Sequence, residues 1–217
     1  MRKLEKYEGS LDNDDALRSC SQHERIQCVL DAMVGLHVAM HDGLRKVHAD
    51  IAPANICVRR LASGQRRGVL IDLGQALNSP GEKAWVKMSR ARFASVRQHG
   101  NTHICAVAHV ADDFESMMYT LVHCLNGGTL PWDSLCPDDV AWWNLSEEQH
   151  HALALQKLKL SSQVRQAVVA GSLPESARAS LAGAIDFVQG VNREDFTCTS
   201  AVINDRLAAF LQDIQEK

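Results

Sequence analysis

VHADIAPANICVRR, residues 47–60, sets three polar side chains, His48, Asp50 and Asn55, into an otherwise apolar segment that runs on into the strand-like Ile56-Cys57-Val58. Tight turns need polar side chains to satisfy their own backbone, so one reading is a capped loop. The other is a site built from a carboxylate and an amide held close together. The spacing H-x-D-x-x-x-x-N is weak by itself, because three fixed polar positions recur by chance. The flanking sequence has to decide.

Upstream, Ser21-Gln22-His23-Glu24 is a capping-box pattern that starts a helix. Ile26, Val29, Leu30, Met33, Leu36 and Met40 follow at helical spacing as one apolar stripe, and Gly43 ends it. Downstream, the runs ICVRR and GVLIDL are joined by the polar turn LASGQR and predict a small β-hairpin. Residues 75–102 are irregular and basic, with Lys83, Lys87, Arg90, Arg92 and Arg97. From about residue 110 the pattern is helical. DDFESMMYTLVHCLNGG is apolar on most faces, which predicts a buried central helix over 110–126 with an acidic start and a Gly127-Gly128 stop. Ser146 to Leu160 opens with a second Ser-x-x-Gln box, and amphipathic helices are expected near 174–188 and 200–213. The expected fold class is mainly α with a small β-hairpin, in one domain spanning residues 1–217.

Composition narrows the function classes. A hydrophobic fraction of 46% and a charged fraction of 23% are those of an ordinary globular protein. A formal net charge of −3 provides no basic field for nucleic acid. Seven cysteines without a C-x-x-C pair read as reduced thiols, and the start has no signal-peptide pattern. No apolar run approaches the roughly 20 residues of a bilayer span. The expectation is an intracellular protein, cytoplasmic or nuclear, without a nucleic-acid or membrane partner.

Asp72 closes the second strand-like run and is followed by Gly74. A loop aspartate, an asparagine five residues on, a hairpin and then Asp-x-Gly is the order of residues used in protein phosphoryl transfer. That chemistry needs a carboxylate to accept or orient a substrate hydroxyl, and oxygen ligands for the Mg²⁺ that bridges nucleotide phosphates. Two later segments narrow the likeness: SRARFASVRQHGN (89–101), with Ala94-Ser95-Val96, and DDFESMMYTL…GGTLPW (112–132). With these motifs the chain resembles the C-terminal lobe of eukaryotic protein kinases, specifically the casein kinase 1 group with its vaccinia-related branch. The resemblance implies a hinge-like segment at 1–11, a catalytic loop at 47–58, an activation segment at 72–97 and the central helix at 110–126. It implies Asp50 as the catalytic carboxylate, Asn55 and Asp72 as Mg·ATP ligands, and His48, Asp113 and Gly74 as structural support. It also implies a protein substrate, acidic or phosphorylated if the basic run 83–97 lies beside it.

The chain departs from the family pattern at three places. Ala49 replaces the arginine that receives an activation-loop phosphate. Ala52 replaces a lysine near the transferred phosphate, and losing a preorganised positive group can cost on the order of 10²–10³ in rate. Because residues 1–11 resemble the segment between the lobes, the Gly-rich loop, its partner lysine and the helix-borne glutamate fall outside this sequence. These residues alone are therefore expected to transfer phosphate negligibly. Two alternatives stay open: a non-catalytic, pseudokinase-type binding module, and a small-molecule kinase of the aminoglycoside or choline type. His103, Cys105 and His109 fall short of a zinc ligand set, and Trp132, Trp142 and Trp143 read as packing anchors.

Overall fold

The structure is a computed structural model that describes residues 7–12, 19–78, 90–100, 109–136, 144–191 and 199–215. It is mostly helical, with a small antiparallel sheet at one end. Strand β1 (Tyr7–Ser10) leads to helix α1 (Gln22–Gly35), which continues as a wide-turned π-helical stretch, Leu36–Leu44. Ser21 starts α1 through a full capping box: its Oγ accepts from the Glu24 amide at 3.2 Å while the Glu24 carboxylate accepts from the Ser21 amide at 2.7 Å. The apolar stripe buries Ile26, Val29, Met33, Leu36 and Met40. Arg45, with φ of 54°, terminates the helical run, its amide donating to the Met40 carbonyl.

The hairpin forms from β3 (Ile56–Arg60) and β4 (Arg66–Leu70), in register from Ile56 opposite Leu70 to Arg60 opposite Arg66. The sheet is larger than the sequence suggests. β1, from within the segment read as hinge-like, adds a third strand beside β3, and a separate two-residue ladder joins β2 (Lys46–Val47) to β5 (Leu77–Asn78). Both additions are pairings of very short segments, which carry no periodicity to detect. Gly68 explains how tightly the hairpin lies on α1: a Cβ there would stand 1.9 Å from the Cys28 carbonyl oxygen.

A five-residue helix, α2 (Val96–Gly100), interrupts the region expected to be irregular. Helix α3 (Val110–Leu125) is buried along its entire length and is the axis of the core. Around it pack α1, α6 (Glu175–Gly190) and α7 (Ser200–Gln215), while α4 (Glu147–Leu158) lies against α2 and leads into α5 (Leu160–Arg165). Ser146 and Gln149 form the second capping box, at 3.2 and 2.8 Å. No helix among the described residues is long and apolar enough to cross a membrane.

Candidate functional site

The loop between β2 and β3 is held from below by one buried carboxylate. Asp113, in the first turn of α3, accepts from the backbone amides of His48 at 2.6 Å and Ala49 at 2.9 Å, and from His41 Nε2 at 3.0 Å. Ala49 has a φ of 65°, and a left-handed residue lets successive N–H groups converge on one acceptor. An alanine in that region is strained by roughly 1–3 kcal/mol, a cost offset by charge-assisted hydrogen bonds. An acid at a helix start was legible as dipole chemistry. Its grip on two loop amides is a tertiary fact.

Above this brace the side chains order one another. The Asp50 amide donates to His48 Nδ1 at 3.3 Å, so the other ring nitrogen carries the proton and donates to the Ile71 carbonyl at 3.0 Å. Asn55 closes the loop: its Nδ2 donates to the Asp50 carbonyl at 2.7 Å and to the Asp50 carboxylate at 3.0 Å. Pro53–Asn55 is a single 3₁₀ turn, which is what brings a side chain five residues on back to Asp50. His48, Asp50, Asn55 and Asp113 are all buried and joined by direct hydrogen bonds.

Asp72 stands one step away. The Ile71 amide donates to the Asn55 carbonyl at 2.9 Å while its own carbonyl accepts from His48, so the residue before Asp72 is clamped on both sides. Asp72 itself is exposed, with φ of 63°, and its Oδ1 accepts from the Gly74 amide at 3.2 Å in a local turn. Gly74 thus shapes the Asp72 turn.

These residues suit magnesium better than zinc. Among the described residues no three His, Cys, Asp or Glu side chains gather to enclose a metal. Asn55 has its nitrogen committed to Asp50, which turns its oxygen into the atom that can meet a cation; Asp72 adds an exposed carboxylate. An amide oxygen and a carboxylate are both hard oxygen donors, the kind that magnesium takes together with waters and phosphate oxygens.

No protein-family model and no curated protein sequence matches this chain.

Sequence reading missed a second anchored segment. Lys157, fully buried on α4, donates to the carbonyls of Ala91 at 2.9 Å and Ala94 at 2.5 Å and lies 2.9 Å from His99 Nε2. The Tyr119 and Trp132 rings flank the ammonium at 5.0 and 5.3 Å. Burial pulls the Lys157 pKa down to about 7, opposed chiefly by the charge of Glu115. His99 Nδ1 lies 3.0 Å from His150 Nδ1, and its pKa is lowered by burial, then by Lys157, then by His150. Glu115 also takes part, accepting from the Val96 amide at 2.8 Å and the Tyr119 hydroxyl at 2.5 Å, and Ser95 donates to Asp112 at 2.7 Å. ALALQKLKL falls in the helix expected from Ser146 to Leu160, and nothing local marks which lysine turns inward.

The basic run needs correction. Arg92 is buried and forks onto Asp133, with its closest contact at 2.5 Å, and Arg97 pairs with Asp112. Both are spent on the fold instead of facing a substrate. Lys83 and Lys87 lie outside the described residues, as do His103, Cys105, Trp142 and Trp143. His109 caps α3, its Nδ1 accepting from the Ala111 amide at 3.0 Å, and Trp132 is a fully buried anchor whose Nε1 donates to the Arg92 carbonyl at 2.8 Å.

Proposed function

We propose that the chain is a kinase-like lobe of the casein kinase 1 type, whose site serves transfer of the ATP γ-phosphate to protein hydroxyls. The observation that carries this reading is the Asp50–Asn55 pair, seated on a loop that Asp113 grips by two backbone amides and tied through Ile71 to Asp72. A generic capped turn has no physical need for a buried carboxylate beneath it and an oxygen-bearing amide above it. In this reading Asp50 accepts or orients the proton of the attacking hydroxyl, and Asn55 fixes the Asp50 carboxylate through its nitrogen. Asn55 and Asp72 offer oxygen to magnesium, which neutralises charge on the phosphates when bound. His48 holds the backbone before Asp72 at a set distance from the loop.

The binding-module reading has one observation in its favour. Ala52, where such kinases carry a lysine, has a fully buried methyl group, so the position contributes packing and no charge.

Manganese, as a paramagnetic substitute for magnesium, tests the reading with ATP present. Amide resonances of residues 50–52, 54–55 and 72–74 should broaden together, and Asp72→Asn should abolish the effect. Broadening centred elsewhere, or unchanged in the variant, would remove the metal-nucleotide reading and leave the binding module. With Ala52 in place of the lysine near the transferred phosphate, any phosphate transfer should be slow, and rapid Mg·ATP-dependent autophosphorylation that vanishes in Asp72→Ala would reverse that expectation.

A further inference from the structure

Ser200, the first residue of α7, is buried and its Oγ lies 2.9 Å from two ring nitrogens at once, Nδ1 of His37 and Nδ1 of His41. The two histidines stand four residues apart on the wide-turned helix, so their rings face the same side. A hydroxyl has one proton to donate and accepts through its lone pairs. Ser200 can therefore donate to only one of these rings, and the other must donate to it. The far nitrogens are also engaged: His41 Nε2 lies 3.0 Å from Asp113, and His37 Nε2 lies 3.5 Å from Asp42 at the surface. The Phe114 ring meets His41 edge-on at 5.2 Å and closes the apolar side.

We infer that Ser200 is a positioning residue that couples α7 to the Asp113 brace and relays a proton between His37 and His41. In one arrangement His37 holds a proton on each ring nitrogen, facing Ser200 and Asp42, and the Ser200 hydroxyl donates to an unprotonated His41 Nδ1. Passing one proton along reverses both bonds. His37 Nδ1 gives its proton to the Ser200 oxygen as the hydroxyl proton moves to His41 Nδ1. His41 then carries the positive charge directly against Asp113. Asp113 is the acid that holds the His48 and Ala49 amides, so the relay sets how firmly the loop is held. Any consequence for phosphoryl transfer rests on the reading above; the relay itself does not.

Amide hydrogen exchange and histidine ring ¹⁵N NMR test it without nucleotide, so its failure and the failure of manganese broadening are separate results. In Ser200→Ala the His48 and Ala49 amides should exchange about fivefold faster, as loss of one net hydrogen bond implies, and the His41 Nδ1 resonance should move. Ser200→Thr should restore both. Wild-type exchange and an unmoved ring resonance in folded Ser200→Ala would overturn the inference. If that variant does not fold, His37→Gln decides, because it changes only the outer end. A shifted His41 Nδ1 resonance supports the relay, and an unshifted one overturns it.

Discussion

Asp113 and Lys157 do the same job with opposite chemistry. Each is a buried charge that fastens an irregular segment to the helical layer by gripping its backbone. Asp113 accepts from two consecutive N–H groups of the 48–55 loop, and Lys157 donates to two carbonyls of the 91–94 turn. The acid sits in the first turn of a helix whose dipole favours negative charge, with two loop amides and a histidine from other segments beside it. The lysine sits in the last turn of α4 among aromatic rings, where desolvation lowers its pKa towards neutrality. The lysine therefore holds with a strength that pH can change.

The largest difference should come from removing the acid. Asp113→Ala strands the His48 and Ala49 amides and should cost about 3–5 kcal/mol in urea unfolding, the range for breaking a buried charged network. Asp113→Asn keeps the volume but presents an NH₂ group, so it should recover only part of that loss. A cost below about 1 kcal/mol would mean that the loop stands without its brace and that the two anchors are not comparable.

Lys157→Met should cost less, about 1–3 kcal/mol, since methionine fills the space while two carbonyls and His99 lose a donor. Its clearer mark is the pH profile. The folded Lys157 pKa lies near 7 and the unfolded value near 10.4, so above pH 7 the unfolded chain binds the extra proton and stability rises with pH. His99 adds to this slope on the acid side, because its lowered pKa makes the unfolded chain the better proton acceptor below about 6.5. From about pH 8.5 the buried thiols of Cys28 and Cys124, held up at about 12, reverse the trend as unfolded cysteines ionise. Wild-type stability should therefore climb from pH 7 to about 8.5 and then fall. Urea midpoints should show Lys157→Met flattening the climb and sparing the fall; an unaltered climb would assign it to other groups.

The smallest effect sharpens the comparison. Ser146→Ala removes the cap of the helix that carries Lys157 and should lower stability by about 1 kcal/mol. Exchange at Ala94 should quicken while exchange at His48 and Ala49 keeps its wild-type rate, if the two anchored segments are independent.

The two anchors also differ in how far the sequence announced them. Asp113 follows Asp112 at the start of an apolar helix, and the loop above it carries His48, Asp50 and Asn55 at a spacing that points to chemistry. Lys157 is one lysine of two in LQKLKL. Arg92 and Arg97 read only as members of a basic run because their acceptors, Asp133 and Asp112, lie 41 and 15 residues away. Ser200 reads as an ordinary helix start, since its partners are more than 150 residues distant. The short ladder of Lys46–Val47 with Leu77–Asn78 and the helix Val96–Gly100 fell below the length at which periodicity speaks.

By itself the sequence determined the elements whose causes are local: both capping boxes, the Ile56–Leu70 hairpin, and the all-apolar run that had to become the central helix. It also placed the polar residues of the loop. Only the tertiary structure decided which charges became buried anchors, because burial depends on what chain arrives from elsewhere to replace water. A backbone amide or carbonyl leaves no trace in the sequence of which side chain will satisfy it. For that reason the grip of Asp113, the cage around Lys157 and the two-histidine clasp on Ser200 could be seen only once the helices were packed.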